Sequence, residues 1–149
     1  MKSVDTIESV LTVKGRHVWS IAPTATVFQA IQEMSNKEVG ALMVISEGRL
    51  AGIISERDYA RKVILKDKSS KLTKVAEIMT SPVITVTPAD TVEECMRIMT
   101  EHHFRHLPVL ERGKLVAVVS IGDLVNWTIT AHEATIGQLE GYIAGKYPG

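Results

Sequence analysis

The sequence predicts a mixed α/β fold made of two copies of one unit, each running strand, helix, strand, strand, helix. Three observations lead to this prediction. The second half of the chain repeats the first without a gap, each copy has two apolar strands joined at a glycine, and each second strand ends in a Ser-x-x-Asp motif typical of a helix start.

The repeat is visible when residues 18–58 are placed on residues 83–123. Eleven of the 41 aligned positions are identical, whereas average composition gives about two or three by chance. The identical pairs are Val18/Val83, Pro23/Pro88, Thr26/Thr91, Val27/Val92, Met34/Met99, Leu42/Leu107, Val44/Val109, Gly48/Gly113, Leu50/Leu115, Ser55/Ser120 and Asp58/Asp123. The chain therefore contains a tandem duplication.

Length and composition indicate a small globular protein without a nucleic-acid partner. The 149 residues suit one compact domain, or two halves of about 60 residues that bury surface against each other. Hydrophobic residues make up 45% of the sequence, and 17 basic residues balance 17 acidic ones. The chain thus lacks the excess of positive charge that favours nucleic acid.

The cellular location is predicted from three negative features. No apolar stretch reaches the roughly 18 residues of a membrane-spanning helix, and the acidic N-terminus differs from a secretory signal. The single cysteine, Cys95, excludes an internal disulfide and lies on the apolar side of a predicted helix, as a core residue would. We therefore expect a cytoplasmic protein with no membrane partner.

The predicted segments follow from these patterns. They are a lead-in with a short helix, 1–17; the first repeat, 18–66; a polar linker, 67–74; the second repeat, 75–126; and a C-terminal helix, 127–149. In the lead-in, Val4, Ile7, Val10 and Leu11 form one helical stripe that we expect to pack on the first repeat. This helix is predicted to end at Lys14-Gly15.

Each repeat is predicted to begin with a strand, 18–21 or 83–86, that leads into a helix. Asp90 with Glu93 is the predicted cap of the second of these helices, and Thr26 with Gln29 is a looser equivalent in the first. A hairpin follows, turning at Gly48 or Gly113. The residues predicted to face inward on the two helices are Val27, Ile31, Met34, Val92, Met96 and Met99.

The tail carries an apolar stripe with no partner in the second repeat. Its members are Val125, Ile129, Ile136, Leu139 and Ile143. Their helical spacing predicts a helix that packs either on the N-terminal helix or on a second copy of the protein.

Two Ser-x-x-Asp motifs are the first candidates for function. Ser55 with Asp58, and Ser120 with Asp123, have the spacing of a capping box, which satisfies free N–H groups at a helix start. The alternative is functional, because such helix starts present N–H groups to an anion. A carboxylate one turn into the helix can then accept both hydroxyls of a ribose, with about 1.5–3 kcal/mol per charge-assisted hydrogen bond.

The segment HHFRHLP, residues 102–108, is the second candidate. Its three histidines suggest a metal, but they run from a helix end through a turn into a strand, so no single face collects them. Arg105 and a partly charged His106 fit phosphate ligands better. A solvated basic turn remains the alternative. In the first repeat, Arg57 beside Asp58 is drawn toward the same ligand, while Arg61 and Lys62 suit a solvated helix face.

Motifs of catalysis are missing from the sequence. It contains no Gly-x-Ser-x-Gly, no phosphate-binding Walker loop and no Gly-x-Gly-x-x-Gly. Asp58 and Asp123 are repeat equivalents rather than an unequal acid and base. The chain is therefore not expected to be an enzyme, and no catalytic residue or catalytic cofactor is predicted.

Two stretches resemble a known family. VAEIMTSPVITVTPADTVEECMRIM followed by FRHLPVLERGKLVAVVSIGDL is similar to the second copy of a CBS-domain pair (a Bateman module), and GALMVISEGRLAGIISERD to the first. The resemblance covers roughly residues 10–126, and the overall layout is similar to stand-alone pairs of bacteria and plant organelles. It implies two repeats packed through their sheets about a pseudo-twofold axis, and a flat, disc-like homodimer.

The resemblance also implies ligands and their residues. The ligands are adenosyl compounds: AMP, ADP, ATP, S-adenosylmethionine, NAD or NADH. Asp58 and Asp123 correspond to the ribose-binding acid, Ser55 and Ser120 to the hydroxyl before it, and Arg105 and His106 to phosphate ligands. The residues expected to border the adenine are Ile21, Val39, Gly40, Ala41, Thr85 and Thr87.

Differences between the copies predict unequal sites. The first repeat has Val39-Gly40-Ala41 where the second has Phe104-Arg105-His106. One cleft could therefore combine Asp58 with Arg105 and His106, which predicts one strong site per chain and one weak or empty one.

The leading interpretation is a regulatory sensor of energy or redox state that signals to an unidentified partner protein. The rival is a scaffold with the same fold that binds no nucleotide, and a metal-dependent enzyme ranks third.

Overall fold

A computed structural model describes residues 5–131 of the chain. Val4 of the predicted N-terminal stripe, and Ile136, Leu139 and Ile143 of the predicted tail stripe, lie outside the described residues. The helices are α1 (Ile7–Lys14), α2 (Val27–Lys37), α3 (Glu56–Tyr59, continued by a π-helical turn over Ala60–Ile64), α4 (Val75–Ile78), α5 (Val92–His102) and α6 (Ile121–Ala131). The strands are β1 (Ser20–Ile21), β2 (Ala41–Ser46), β3 (Arg49–Ser55), β4 (His106–Glu111) and β5 (Lys114–Ser120).

The two sheets confirm the predicted mixed α/β repeat. In the first, β1 lies parallel to β2, and β2 pairs with β3 in an antiparallel hairpin. In the second, β4 and β5 form the equivalent hairpin. Both hairpins shift register at the same repeat position, between Val44 and Ile45 and between Val109 and Leu110. The duplication therefore extends to an irregularity of the backbone.

The first strand of each repeat is shorter than predicted. Instead of residues 18–21, only Ser20 and Ile21 pair with β2. Instead of residues 83–86, a single parallel bridge joins Val86 to Val109. The β-rich composition of these segments therefore does not by itself determine how many residues join the sheet.

The predicted glycines form the hairpin turns. Gly48 has φ of 76° and Gly113 has φ of 80°, and the residues before them, Glu47 and Arg112, also have positive φ. A two-residue turn with two left-handed positions matches the twist of the flanking strands. Gly48 and Gly113 thus supply the turn geometry that the sequence predicts.

One helix cap differs from the prediction. Thr26 and Gln29 form a complete capping box at α2. At α5 the cap is Thr91 with Glu94, rather than Asp90 with Glu93. Asp90 instead accepts a hydrogen bond from the backbone N–H of Thr87 at 2.7 Å. Since Thr91 is the repeat equivalent of Thr26, the duplication predicts this cap better than the local preference for aspartate does.

The N-terminal helix packs on the second repeat, which corrects the expectation that it packs on the first. Ile7 and Glu8 donate backbone hydrogen bonds to Asp90 and Pro88. Equivalent bonds join Val75 and Ala76 of α4 to Ala25 and Pro23 of the first repeat. Each repeat is therefore completed by the short helix that precedes the other repeat, because that helix supplies the apolar side chains which close the core.

Two hydrophobic cores result. The core of the first repeat contains Val27, Ala30, Met34, Leu42, Val44, Ile54, Val63, Val75 and Ile78. The core of the second contains Ile7, Val10, Leu11, Val86, Val92, Cys95, Met99, Leu107, Val109, Ala117, Val119 and Leu124. Cys95 is fully buried there, as predicted. Within residues 5–131, no helix has the length and apolar character needed to cross a membrane.

Candidate functional site

A cleft of about 820 Å³ lies between the two repeats. The first repeat contributes the end of β3 and the start of α3, and the second contributes the turn from α5 into β4 and the start of α6. The lining residues are Gly40, Ile53, Ser55, Glu56, Arg57, Asp58, Arg61, Lys62, Thr80, Val83, His102, His103, Phe104, Arg105, His106, Ser120, Ile121 and Gly122. This volume is within the usual range of ligand pockets.

Asp58 is the buried acid of this larger cleft. Only 8% of the residue is exposed. Its Oδ2 accepts hydrogen bonds from the backbone N–H of Ser55 at 3.0 Å and from the Ser55 hydroxyl at 3.1 Å. The Ser55–Asp58 pair therefore is a capping box, as the sequence indicates, and its carboxylate lies inside a cleft at the same time.

The other oxygen of Asp58 faces two further donors. Thr80 donates its hydroxyl to Oδ1 at 3.3 Å, and Lys62 Nζ is 3.1 Å from the same atom. Thr80 reaches Asp58 because it pairs with Ile53 at the edge of β3. The close approach of Thr80 to β3 requires a glycine at position 52, since a Cβ there would lie 2.8 Å from the main-chain oxygen of Thr80.

Positive charge dominates the larger cleft. Four of its lining residues carry a cation, and two carry a carboxylate. The cations are Arg57, Arg61, Lys62 and Arg105, and the acids are Glu56 and Asp58. Such a cleft attracts an anion more strongly than a neutral or cationic ligand.

His106 lines both clefts, and its surroundings disfavour the partial charge expected from the sequence. Burial lowers its pKa below the ordinary value, Asp123 opposes that shift, and Lys14 and Arg105 add to it. The side chain is therefore neutral at pH 7 and can donate or accept a hydrogen bond without carrying charge. Arg105, which is exposed, supplies the positive charge of this segment.

A smaller cleft of about 340 Å³ lies beside the first. Its lining residues are Lys14, His17, Trp19, Glu38, Val39, Gly40, Ala41, Met43, His106, Val118, Ser120 and Asp123. Gly40, His106 and Ser120 line both clefts, so they form the wall between them. A side chain at Gly40 would approach His106 and Glu56, because its Cβ would lie 3.8 Å and 3.3 Å from them.

Asp123 in the smaller cleft is held by a lysine from α1. Lys14 Nζ is 2.6 Å from Oδ2 of Asp123, which also accepts a hydrogen bond from the Ser120 backbone N–H at 2.8 Å. Burial raises the pKa of Asp123, but the bonds from Lys14 and Ser120 outweigh burial and the pKa is lowered overall. The carboxylate is ionised at neutral pH.

The predicted site residues divide between the clefts. The larger cleft contains Ser55, Arg57, Asp58 and Arg105, and the smaller contains Val39, Ala41 and Asp123. Ile21, Thr85 and Thr87 line neither of these two clefts. Ile21 packs against the first core, and Thr87 is bound through its N–H to Asp90. From the segments 18–21 and 83–86, Trp19 lines the smaller cleft and Val83 lines the larger one.

Several cleft residues were not predicted. Phe104 and Val83 give the larger cleft an apolar wall, and His102 stacks on Phe104 with ring centroids 5.7 Å apart. Phe104 is next to Arg105 in the segment HHFRHLP, so the sequence offered a signal that Phe104 lines the cleft. No sequence signal pointed to Lys14 as a cleft residue, because it is 109 residues from Asp123 in the chain. Among the described residues, no three potential metal ligands cluster.

The fold and its clefts define a tandem-repeat α/β module with a ligand-sized cleft between its two copies. The CBS-domain family matches residues 10–65 and 75–129, and the chain belongs to that family as a CBS pair.

Individual relatives agree. The mitochondrial CBS domain-containing protein CBSX3 of Arabidopsis thaliana is 42% identical over 151 residues, covering 95% of this chain and 73% of the relative. A solved structure of a protein with CBS domains from Burkholderia ambifaria MC40-6 is 48% identical, with a TM-score of 0.82, covering 84% of this chain and 94% of that one.

A more distant structure has the same fold with ligands present. The CBS domain pair of protein MJ0100 is 21% identical, with a TM-score of 0.75, and covers 85% of this chain and 97% of that one. It was solved in complex with 5′-methylthioadenosine and S-adenosyl-L-methionine.

Proposed function

We propose that this CBS pair is a non-catalytic regulatory module that binds an adenine nucleotide in the larger cleft. One observation carries the proposal: the buried carboxylate of Asp58 lines the same cleft as Arg57 and Arg105. An acid for a sugar diol and cations for phosphate are the two polar parts of a nucleotide site. The adenosyl ligands of the MJ0100 pair support this ligand class.

Different side chains of the larger cleft bind the ribose, the adenine and the phosphates of the ligand. Asp58 accepts the ribose hydroxyls, with the Ser55 hydroxyl turning away to free one carboxylate lone pair. The adenine lies against the apolar wall of Ile53, Val83 and Phe104. The phosphates meet the guanidinium groups of Arg57 and Arg105.

The charge of the cleft favours the phosphate-bearing candidates. AMP, ADP, ATP, NAD and NADH are anions, whereas S-adenosylmethionine carries a sulfonium cation. A cleft with four cations and two carboxylates among its lining residues repels that sulfonium. We therefore place ADP and ATP above AMP, and all phosphate ligands above S-adenosylmethionine.

Signalling follows from the shared cleft. A ligand that contacts both repeats stabilises one relative arrangement of them, and a partner protein that prefers that arrangement binds more tightly. The module thus acts by changing how tightly a partner protein binds, rather than by catalysing a reaction. This coupling suits a sensor of energy or redox state.

A homodimer is the second part of the proposal. Ile64 and Ile129 are equivalent positions of the two repeats, and 56% of each is exposed. Leu65, which directly follows the first of these helical segments, and Val125 on the second are also exposed. Matching apolar groups on both repeats suit a self-complementary interface between two copies. The expected cytoplasmic location remains a prediction, and the Arabidopsis relative carries the description mitochondrial.

A thermal-shift panel tests the proposal against a scaffold that binds no nucleotide. The panel contains AMP, ADP, ATP, NAD, NADH and S-adenosylmethionine. A ligand at one hundred times its dissociation constant adds about 2.7 kcal/mol, which raises the melting temperature of a chain this long by about 5–10 °C. Asp58→Ala should abolish the shift, whereas Asp90→Ala, outside both clefts, should keep it. A scaffold would show no shift with any compound.

A further inference from the structure

The two clefts differ in the group that holds their aspartate. In the smaller cleft, Lys14 Nζ is 2.6 Å from Oδ2 of Asp123 and 2.8 Å from the main-chain oxygen of Val118. The side chains of Lys14 and Asp123 are 29% and 24% exposed. The ammonium group is therefore bound between β5 and the first turn of α6, inside the cleft.

The larger cleft has a neutral donor in the corresponding contact. Thr80 follows α4, and α4 docks on the first repeat as α1 docks on the second. Its hydroxyl donates to Oδ1 of Asp58 at 3.3 Å. A hydroxyl can rotate toward another acceptor when a ligand arrives, whereas a lysine ammonium must be removed together with its charge.

Asp58 also meets a lysine, but in a different way. Lys62 lies one turn further along the same helical segment, and 43% of its side chain is exposed. Its Nζ also donates to the main-chain oxygen of Ile78 at 2.9 Å. The Lys62 Nζ is 3.1 Å from its aspartate oxygen, against 2.6 Å for Lys14, and Lys62 is the more exposed of the two lysines. The second repeat has Trp127 at the equivalent position. Among the described residues, the one cation paired with Asp123 comes from α1.

We propose that Lys14 withholds Asp123 from ligands, so that each chain takes one nucleotide, in the larger cleft. This inference rests on the proposed function. A ribose that reached Asp123 would have to break an ion pair and leave a partly buried ammonium without its partner. The cleft that contains Lys14 is also the smaller of the two, with about 340 Å³ against about 820 Å³.

Lys14 thereby adds to the differences between the duplicated clefts, beside Arg57 and Arg105, which line the larger cleft and not the smaller one. Both repeats retain the Ser-x-x-Asp motif, so the acid itself does not distinguish them. The cation belongs to α1, which lies outside the aligned residues 18–58 and 83–123 and packs on the second repeat of the same chain. A substitution at this one position should therefore free the carboxylate of Asp123 for a ribose.

Titration calorimetry with ATP and with adenosine tests this inference in the full chain. Adenosine is the probe of the smaller cleft, because without Lys14 that cleft is lined by Glu38 and Asp123 and by no lysine or arginine. The informative variant is Asp58→Ala combined with Lys14→Met, because its larger cleft has lost the ribose acid and any binding must use the smaller one. We expect one site in the wild type, none in Asp58→Ala, and one in the double variant that disappears when Asp123→Ala is added. Lys14→Met alone should bind two molecules of adenosine per chain.

Two controls separate the effect from a change in stability. Arg16→Met removes a neighbouring cation that pairs with Glu8 and Glu111 rather than Asp123, and should leave the stoichiometry at one. Lys14→Arg keeps the charge and should also bind one nucleotide. If Lys14→Met does not fold, Lys14→Thr, which installs the donor found in the larger cleft, serves in its place.

The outcomes are distinct. Two sites in the wild type, or no binding in a folded double variant when the wild type binds one, would overturn the role of Lys14 and leave the proposed function intact. Wild-type protein that binds nothing, beside a Lys14→Met variant that binds through Asp123, would overturn the proposed larger-cleft site and support the role of Lys14. No binding in any folded variant would refute both.

Discussion

Arg57 donates a hydrogen bond of 2.6 Å to the main-chain oxygen of His103. The residues are 46 positions apart and belong to different repeats, so this bond crosses the larger cleft. His103 has left-handed backbone geometry, with φ of 60°, at the C-terminal end of α5. A phosphate is a stronger acceptor than a carbonyl. Ligand binding is therefore expected to draw Arg57 away from His103 and to change how the repeats are held together.

Substitution of the cleft arginines should weaken binding of ATP more than binding of adenosine. A charge-assisted hydrogen bond contributes about 1.5–3 kcal/mol, so Arg57→Ala or Arg105→Ala should reduce ATP affinity about 10- to 100-fold. Calorimetry with both ligands measures the difference. Arg49→Ala, in a hairpin outside the clefts, is the matched control. Equal losses for ATP and adenosine would argue against a phosphate contact.

His106 should make the protein less stable in mild acid. Its pKa is lowered in the folded protein, mainly by burial, whereas the unfolded chain takes up a proton near the ordinary value of about 6.5. Below that pH the unfolded state binds more protons, so the free energy of unfolding falls as the pH decreases. Urea unfolding at about pH 7.5 and about pH 5.5 measures the fall.

His106→Gln removes the titrating group and keeps a polar side chain. The variant should lose less stability than the wild type between the two pH values. His17→Gln is the control, because His17 lines only the smaller cleft and is more exposed. A pH dependence unchanged by His106→Gln would contradict the neutral state of the buried imidazole.

Gly52→Ala should destabilise the first repeat. The new Cβ would lie 2.8 Å from both the Thr80 main-chain oxygen and the Met79 sulfur. Overpacking of this kind costs about 1–3 kcal/mol, measurable by urea unfolding. Gly122→Ala is the control. Gly122 lies in the first turn of α6, and a Cβ there would be 3.7 Å from its nearest neighbour, the Ser120 hydroxyl. This variant should have unchanged or slightly increased stability. Equal stabilities of the two variants would disagree with the close approach of Thr80 to β3.

The thiol of Cys95 should be inert in the folded protein. Burial, with smaller effects of Asp90 and Glu94, raises its pKa to about 12. At about pH 8 almost none of it is thiolate, which is the reactive form. A thiol reagent should label the native protein at the rate of unfolding and should label the protein in guanidinium chloride at once. Rapid stoichiometric labelling under native conditions would refute a core position.

Much of the fold could be predicted because it depends on local patterns. The hairpins follow from apolar strands around Gly48 and Gly113, whose left-handed geometry any such turn requires. The Ser55–Asp58 motif begins a helix through a capping box that four consecutive residues can form. Asp90 shows the limit of local preference, because Thr91 has the backbone position from which a side chain reaches the free N–H groups of α5.

Contacts between distant residues could not be predicted in the same way. An apolar stripe on α1 specifies that the helix must be buried, but either repeat offers a surface that could bury it. The choice of the second repeat depends on backbone bonds to Pro88 and Asp90, which carry no sequence signal. The same choice brings Lys14 to Asp123, while the crossing of Thr80 over Gly52 brings a hydroxyl to Asp58.

By itself, the sequence determined the duplication, the repeat unit and the two acids, because each is written in residues close together or at a constant offset. Only the tertiary structure decided which cations meet which acid. Two identical motifs acquire different surroundings once each repeat is completed by a helix from elsewhere in the chain, and side-chain charge then acts over a few ångströms of space rather than along the sequence.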